Sequence, residues 1–233
     1  MSDPDLGPKR QSCAVRKIKC CNFLGDALGC DVVGIPGRPL RRFVCLGLLF
    51  AGLATAETIG NWRAHFPPCK RHSELLKQGP MNLGVRVATA NPVLAEEFRA
   101  AMDFWAKVLD LQWHEASTQN CSLEVTDGER WLFEPEPENM AARSQFPDRR
   151  DFEGWIAFNP AVSLNRMESY RVSVHEIGHM LGLRHSANIK SLMYGFDLDD
   201  SQSLDPADLA SLAGRHKLRI ASLTQPVLLD KPR

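Results

Sequence analysis

Residues 174–186, VHEIGHMLGLRHS, constrain the fold more than any other part of the chain. Residues four apart on a helix share a face, so His175 and His179 on one helix present their imidazoles to a common point. Glu176 lies about 100° further round. It is badly placed to ligate beside the two histidines but well placed to take a proton from a water held at that point. Gly182 can adopt a backbone shape closed to other residues, ending the helix and turning the chain back so that His185 supplies a third nitrogen. Three neutral nitrogens and one open position form the donor set of a catalytic zinc; structural zinc sites are closed by four protein ligands, often thiolates. The chemistry expected is metal-assisted hydrolysis. Glu176 is the expected general base, passing its proton on to the leaving amine. The other histidines, His65, His72, His114 and His216, lack such company and carry no assigned role.

The ends of the chain read differently from this centre. Residues 41–56, RRFVCLGLLFAGLATA, combine a basic pair, an apolar run and the small-residue site Ala54-Thr55-Ala56, the pattern of a secretory signal cleaved before Glu57. The run is shorter than the about 20 residues needed to cross a bilayer. The alternative, a buried core segment, has the flanking end signals against it. Residues 1–40 carry no apolar period and are read as an unstructured extension or the product of a mis-called start. Of seven cysteines, Cys13, Cys20, Cys21, Cys30 and Cys45 precede residue 46, leaving Cys69 and Cys121 downstream. The chain is thus expected to be secreted, extracellular or periplasmic, without stable membrane insertion. Lys+Arg and Asp+Glu both total 28, so no net charge favours a nucleic-acid partner.

Between the ends, residues 57–80 read as a polar lead-in or short pro-segment, residues 81–218 as one domain, and residues 219–233 as a loose tail. Residues 81–88 alternate as a strand does. Asn91 and Pro92 mark a helix start, followed by a buried stripe of Phe98, Ala101, Met102, Trp105, Val108 and Leu109. Short strands are expected at 111–115 and 121–125, with extended pieces at 140–146 and 154–159 separated by a charged turn. Asn165 is expected to cap a second long helix burying Met167, Tyr170, Val174, Ile177 and Leu181 on one face. Asp205 and Pro206 open a last helix running to about Leu212. This order gives an α+β domain.

HEIGHMLGLRH followed by Met193 resembles the metzincin metalloproteases. Ser186 after the third histidine, and the final helix LDPADLASL, are similar to the matrixin, or matrix metalloproteinase-like, branch. The resemblance implies a zincin-like fold with a small twisted mixed sheet, an active-site helix, a second long helix and a C-terminal helix. It implies one catalytic zinc on His175, His179 and His185, a Met-turn at Met193 and a peptide or protein substrate. Residues 140–145 would be the edge strand above the cleft, and residues 194–204 would wall the pocket for the side chain after the cut.

Departures from the family's pattern matter too. Arg143, Ser144 and Phe158 stand where animal matrixins place ligands of a structural zinc, so a second zinc is not expected. Asp148, Asp151 and Glu153 are either calcium ligands or a solvated charged turn. Cys69, in Pro67-Pro68-Cys69-Lys70, only partly matches the family's latency motif; a Cys69–Cys121 disulfide is the favoured reading over a thiolate switch. The chain is read as a monomeric endopeptidase. The alternative is a catalytically inactive zinc-bearing domain that binds peptides or proteins.

Overall fold

A computed structural model describes residues 61–63, 65–135, 137–195, 202–220 and 222–229. The expected extension, the signal stretch 41–56 and the five early cysteines lie outside the described residues.

The alternating pattern at the start of the domain becomes strand β1, Met81–Ala88, with Met81, Leu83 and Val85 turned into the core. Asn91 then caps helix α1, Pro92–Val108, its side chain accepting from the N–H groups of Val93 and Leu94. The stripe expected for this helix is buried, with Leu94 and Phe104 added to it. Strand β2, Leu111–Glu115, returns parallel to β1, so β1, α1 and β2 form a crossover unit. Strands β3, Leu123–Asp127, and β5, Trp155–Phe158, extend the parallel sheet on the other side of β1. Strand β4, Ala142–Ser144, closes the sheet as an antiparallel edge, giving the order β2-β1-β3-β5-β4. The architecture is α+β with a mixed sheet, as expected.

Helix α2, Arg166–Met180, packs with α1 on one face of the sheet. Here the expectation of one buried face fails. Every residue from Ser169 to Met180 is buried, including Arg171, Ser173, His175, Glu176 and His179. The polar side of this helix faces the interior because the site itself is inside. Arg166 ties the helix start to α1 through Glu96 at 2.8 Å and Glu97 at 2.5 Å.

Three further differences trace to specific contacts. Strand β3 begins at Leu123 because Cys121 is held elsewhere: its sulfur bonds Cys69 and its carbonyl accepts the N–H of Arg71. Part of the lead-in packs on the sheet, with Trp62 against a small cluster of Leu132, Phe133, Met140 and Ala157. Part of the stretch expected to be loose is paired: strand β7, Val227–Leu228, lies antiparallel to β6, Ser203–Leu204, and Arg219 N–H donates to Val108 O. Helix α3, Pro206–Ala213, falls where expected, with a reciprocal capping box between Asp205 and Asp208.

Candidate metal centre

The first turn of α2 is fixed by a capping box, in which Asn165 accepts from Glu168 N–H and the Glu168 carboxylate accepts from Asn165 N–H. At the other end Gly182 takes φ 91°, a left-handed conformation that reverses the chain after Leu181. The reversal carries His185 back over the helix. Its ring lies 4.7 Å from that of His179 and 5.3 Å from that of His175.

The nitrogens of these rings are sorted by their partners. His175 Nδ1 lies 2.8 Å from Leu192 O and His179 Nδ1 lies 2.9 Å from Leu183 O. A carbonyl only accepts, so each Nδ1 keeps the proton and each Nε2 is left with its lone pair. These Nε2 atoms face His185 Nε2 at 3.4 and 3.2 Å. A tetrahedral zinc with Zn–N bonds of about 2.0–2.1 Å requires ligand nitrogens about 3.3–3.4 Å apart. The donor set therefore fits zinc in chemistry and in spacing.

Electrostatics favour the same state. Burial, with the neighbouring His185, pushes the His175 pKa down to about 3. Burial lowers His179 well below the usual imidazole range, and takes His185 down to about 4. All three are neutral near pH 7, the form in which imidazole ligates a metal.

The floor of the site is a turn carrying Met193. Met193 is fully buried, and a Cβ placed on Gly178 would lie 2.7 Å from its Sδ. Any larger residue at 178 would oblige the Met193 thioether to shift. Ser186 N–H donates to Met193 O, and Gly195 lies so near His185 that a Cβ there would be 3.0 Å from the ring. Ser191 Oγ accepts from Met193 N–H at 2.9 Å and donates to Asp208 at 2.7 Å, tying the turn to α3. Burial pushes the Asp208 carboxyl up, against the hydrogen bond from Ser191.

The sequence pattern that defines the matrixins, Peptidase M10, matches residues 86–213, more than half of the chain. The chain belongs to the matrixin family. Among curated proteins none matches it. Matrixins are zinc metallopeptidases, typically extracellular, and act on peptides or proteins. The match runs from the end of β1 through β2, β3, β4 and β5, both long helices and all of α3, and so contains the whole histidine cluster.

In this matrixin the three sequence-predicted ligands, His175, His179 and His185, come together, their ligand atoms all within 4.8 Å of one another. Glu176 is fully buried in the same helix turn. A second group of metal-type side chains, Cys69, Cys121 and Glu124, has its sulfurs joined in a disulfide, which leaves Cys69 no thiol for the zinc. The candidates for calcium face cations: Asp148 pairs with Arg184 at 2.5 Å and Asp151 with Arg63 at 2.9 Å. Of the pocket wall expected at 194–204, residues 196–201 lie outside the described residues. Among the described residues no helix is long and apolar enough to cross a membrane.

Sequence reasoning missed Phe146. It follows β4, and its ring packs 4.9 Å from that of His179, with the guanidinium groups of Arg149 and Arg184 at 4.7 and 4.8 Å from its centroid. No local pattern marks it, because the contact joins residues far apart in the chain. Gly178 carried a signal that went unread: a glycine inside a buried helix weakens it by about 1 kcal/mol and so has a packing reason.

Proposed function

We propose that this matrixin is a secreted, single-zinc endopeptidase in which His175, His179 and His185 hold the metal and Glu176 is the general base. The observation that carries the reading is the convergence of three imidazole nitrogens at 3.2 and 3.4 Å, with the Nδ1 atoms of His175 and His179 fixed by backbone carbonyls. Zinc, when bound there, supplies a Lewis acid that polarises the scissile carbonyl and makes water more acidic.

The residues of the chain do the rest. Leu192 O and Leu183 O orient two of the ligands and raise their basicity. Met193 acts as the Met-turn beneath them. Glu176, one residue after His175, takes the proton of the attacking water and delivers it to the leaving amine. Its burial away from bulk solvent strengthens its interaction with charge developing in the cleft. The edge of β4 turned away from β5 offers main-chain groups to an extended substrate where the chain's own residues leave it open.

Secretion is supported by the signal-like stretch 41–56 and by the Cys69–Cys121 disulfide, which suits an oxidising compartment. Cleavage profiling on a peptide library, with and without a metal chelator, tests the function. Internal cleavage that the chelator abolishes is expected. Cleavage indifferent to chelator, or no cleavage by the zinc-loaded chain, overturns the reading.

A further inference from the structure

The edge of β4 is partly taken by the chain's own lead-in. Asn159 N–H donates to Ala141 O and Gln145 N–H to Trp155 O, so residues 141, 143 and 145 turn their backbone groups towards β5. Alternation then turns those of Ala142, Ser144 and Phe146 to the free edge. At Phe146 both are held by one side chain: the N–H donates to Asn61 Oδ1 at 2.8 Å, and Asn61 Nδ2 donates to the carbonyl at 3.0 Å. This is the two-point contact that a residue of a paired strand would make. At Ser144 the carbonyl accepts from Trp62 Nε1 at 3.2 Å.

The segment that does this is built into the fold. Gln145 is fully buried; its amide donates to Trp62 O at 3.0 Å and accepts from Glu153 N–H at 2.9 Å. Asn61 N–H donates to Arg150 O, the rings of Trp62 and Phe66 each lie 5.9 Å from that of Trp155, and Cys69 is bonded to Cys121. The occupied end of the edge starts beside the metal centre, since the Phe146 ring packs on His179.

We propose that Asn61 and Trp62 determine specificity by filling the Phe146 end of the β4 edge. A peptide substrate then pairs along the edge further on one side of the cut than on the other. Residues added to the short side find the Ser144 carbonyl and both main-chain groups of Phe146 already satisfied and contribute little to binding. This rests on the reading of the cleft as a peptide-cleaving site.

The test is a nested set of peptides around one cleaved sequence, lengthened one residue at a time on either side, with kcat/KM measured for the zinc-loaded full chain. The wild type is expected to gain from lengthening on one side and to stop gaining within the first residues on the other. In the Asn61→Ala, Trp62→Phe double variant, lengthening on the stalled side is expected to raise kcat/KM about five- to tenfold, the worth of one or two regained hydrogen bonds. A purely structural role lowers kcat/KM at every length alike and leaves the long-to-short ratio unchanged. Should that variant not fold, Asn61→Asp keeps the acceptor for Phe146 N–H, repels the carbonyl, and is expected to give a gain of about two- to threefold. Equal gains on both sides in the wild type, or an unchanged length profile in the variants, overturn the inference alone. Absence of cleavage of every peptide overturns the underlying function and the inference with it.

Discussion

Met193 Sδ occupies the space in which a side chain at position 178 would begin: a Cβ on Gly178 would lie 2.7 Å from it and 3.3 Å from Trp105 Cζ2. The glycine between the two helical histidines therefore leaves room for the Met193 thioether against the helix. Because Leu192 O, next to Met193, holds His175 Nδ1, the packing reaches the histidine cluster directly.

Gly178→Ala sets two effects against each other. Alanine favours the helix by about 1 kcal/mol; overpacking a buried contact costs about 1–3 kcal/mol. The expected result is a net loss of about 1 kcal/mol in urea unfolding and about tenfold weaker zinc binding, the scale of an outer-shell change. Met193→Ala opens a cavity and costs about 2–5 kcal/mol. The double variant is expected to be about 1 kcal/mol more stable than the sum of the two losses, since the methyl group added at position 178 moves into the vacated space. Strict additivity would contradict the contact.

Glu176→Gln is expected to bind zinc as the wild type does and to lower kcat at least about 100-fold, the lower end of what a general base supplies. Zinc content by atomic absorption and peptide turnover on the same sample check this. Full turnover in the variant would remove Glu176 from the mechanism.

Acid should release the zinc late. The sign follows from the lowered pKa values: the imidazoles stay neutral as pH falls below 6.5, and protons compete only as pH approaches about 4 for His185 and about 3 for His175. Dialysis over a pH series, with zinc counted afterwards, is expected to show full occupancy at about pH 5.5, where exposed imidazoles are mostly protonated. Loss of half the zinc at or above pH 6 would contradict the buried, neutral triad.

The Cys69–Cys121 disulfide closes a sequence separation of 52 residues. Loop-closure entropy gives such a link about 4 kcal/mol. Replacing both cysteines by alanine is expected to lower stability by about 2–4 kcal/mol in urea unfolding, and unreduced digests of the wild type should contain the linked peptides. Free thiols at both positions would reopen the latency switch.

The histidine cluster was legible because it is local: a spacing of four on a helix, a glycine, and a third histidine all lie within residues 175–185. Helix α1 was legible for the same reason, through Asn91, Pro92 and a stripe of period 3.6. What escaped depends on contacts between distant residues. The all-round burial of α2 could not be read from periodicity, since Arg171 and Ser173 look like a solvated face until the sheet and turn enclose them. Asn61 and Phe146 are 85 residues apart, and neither carries a motif. The start of β3 at Leu123 was displaced by the disulfide and by the Arg71 contact, both long-range constraints that outweigh strand propensity.

Zinc titration of the metal-stripped chain, followed by hydrolysis of a single cleavable peptide, tests the central claim most directly. The rate should start at the background level, rise in proportion to added zinc, and break at one zinc per chain. Undiminished hydrolysis after stripping, or a break at two zinc ions per chain, would contradict a single catalytic zinc on His175, His179 and His185.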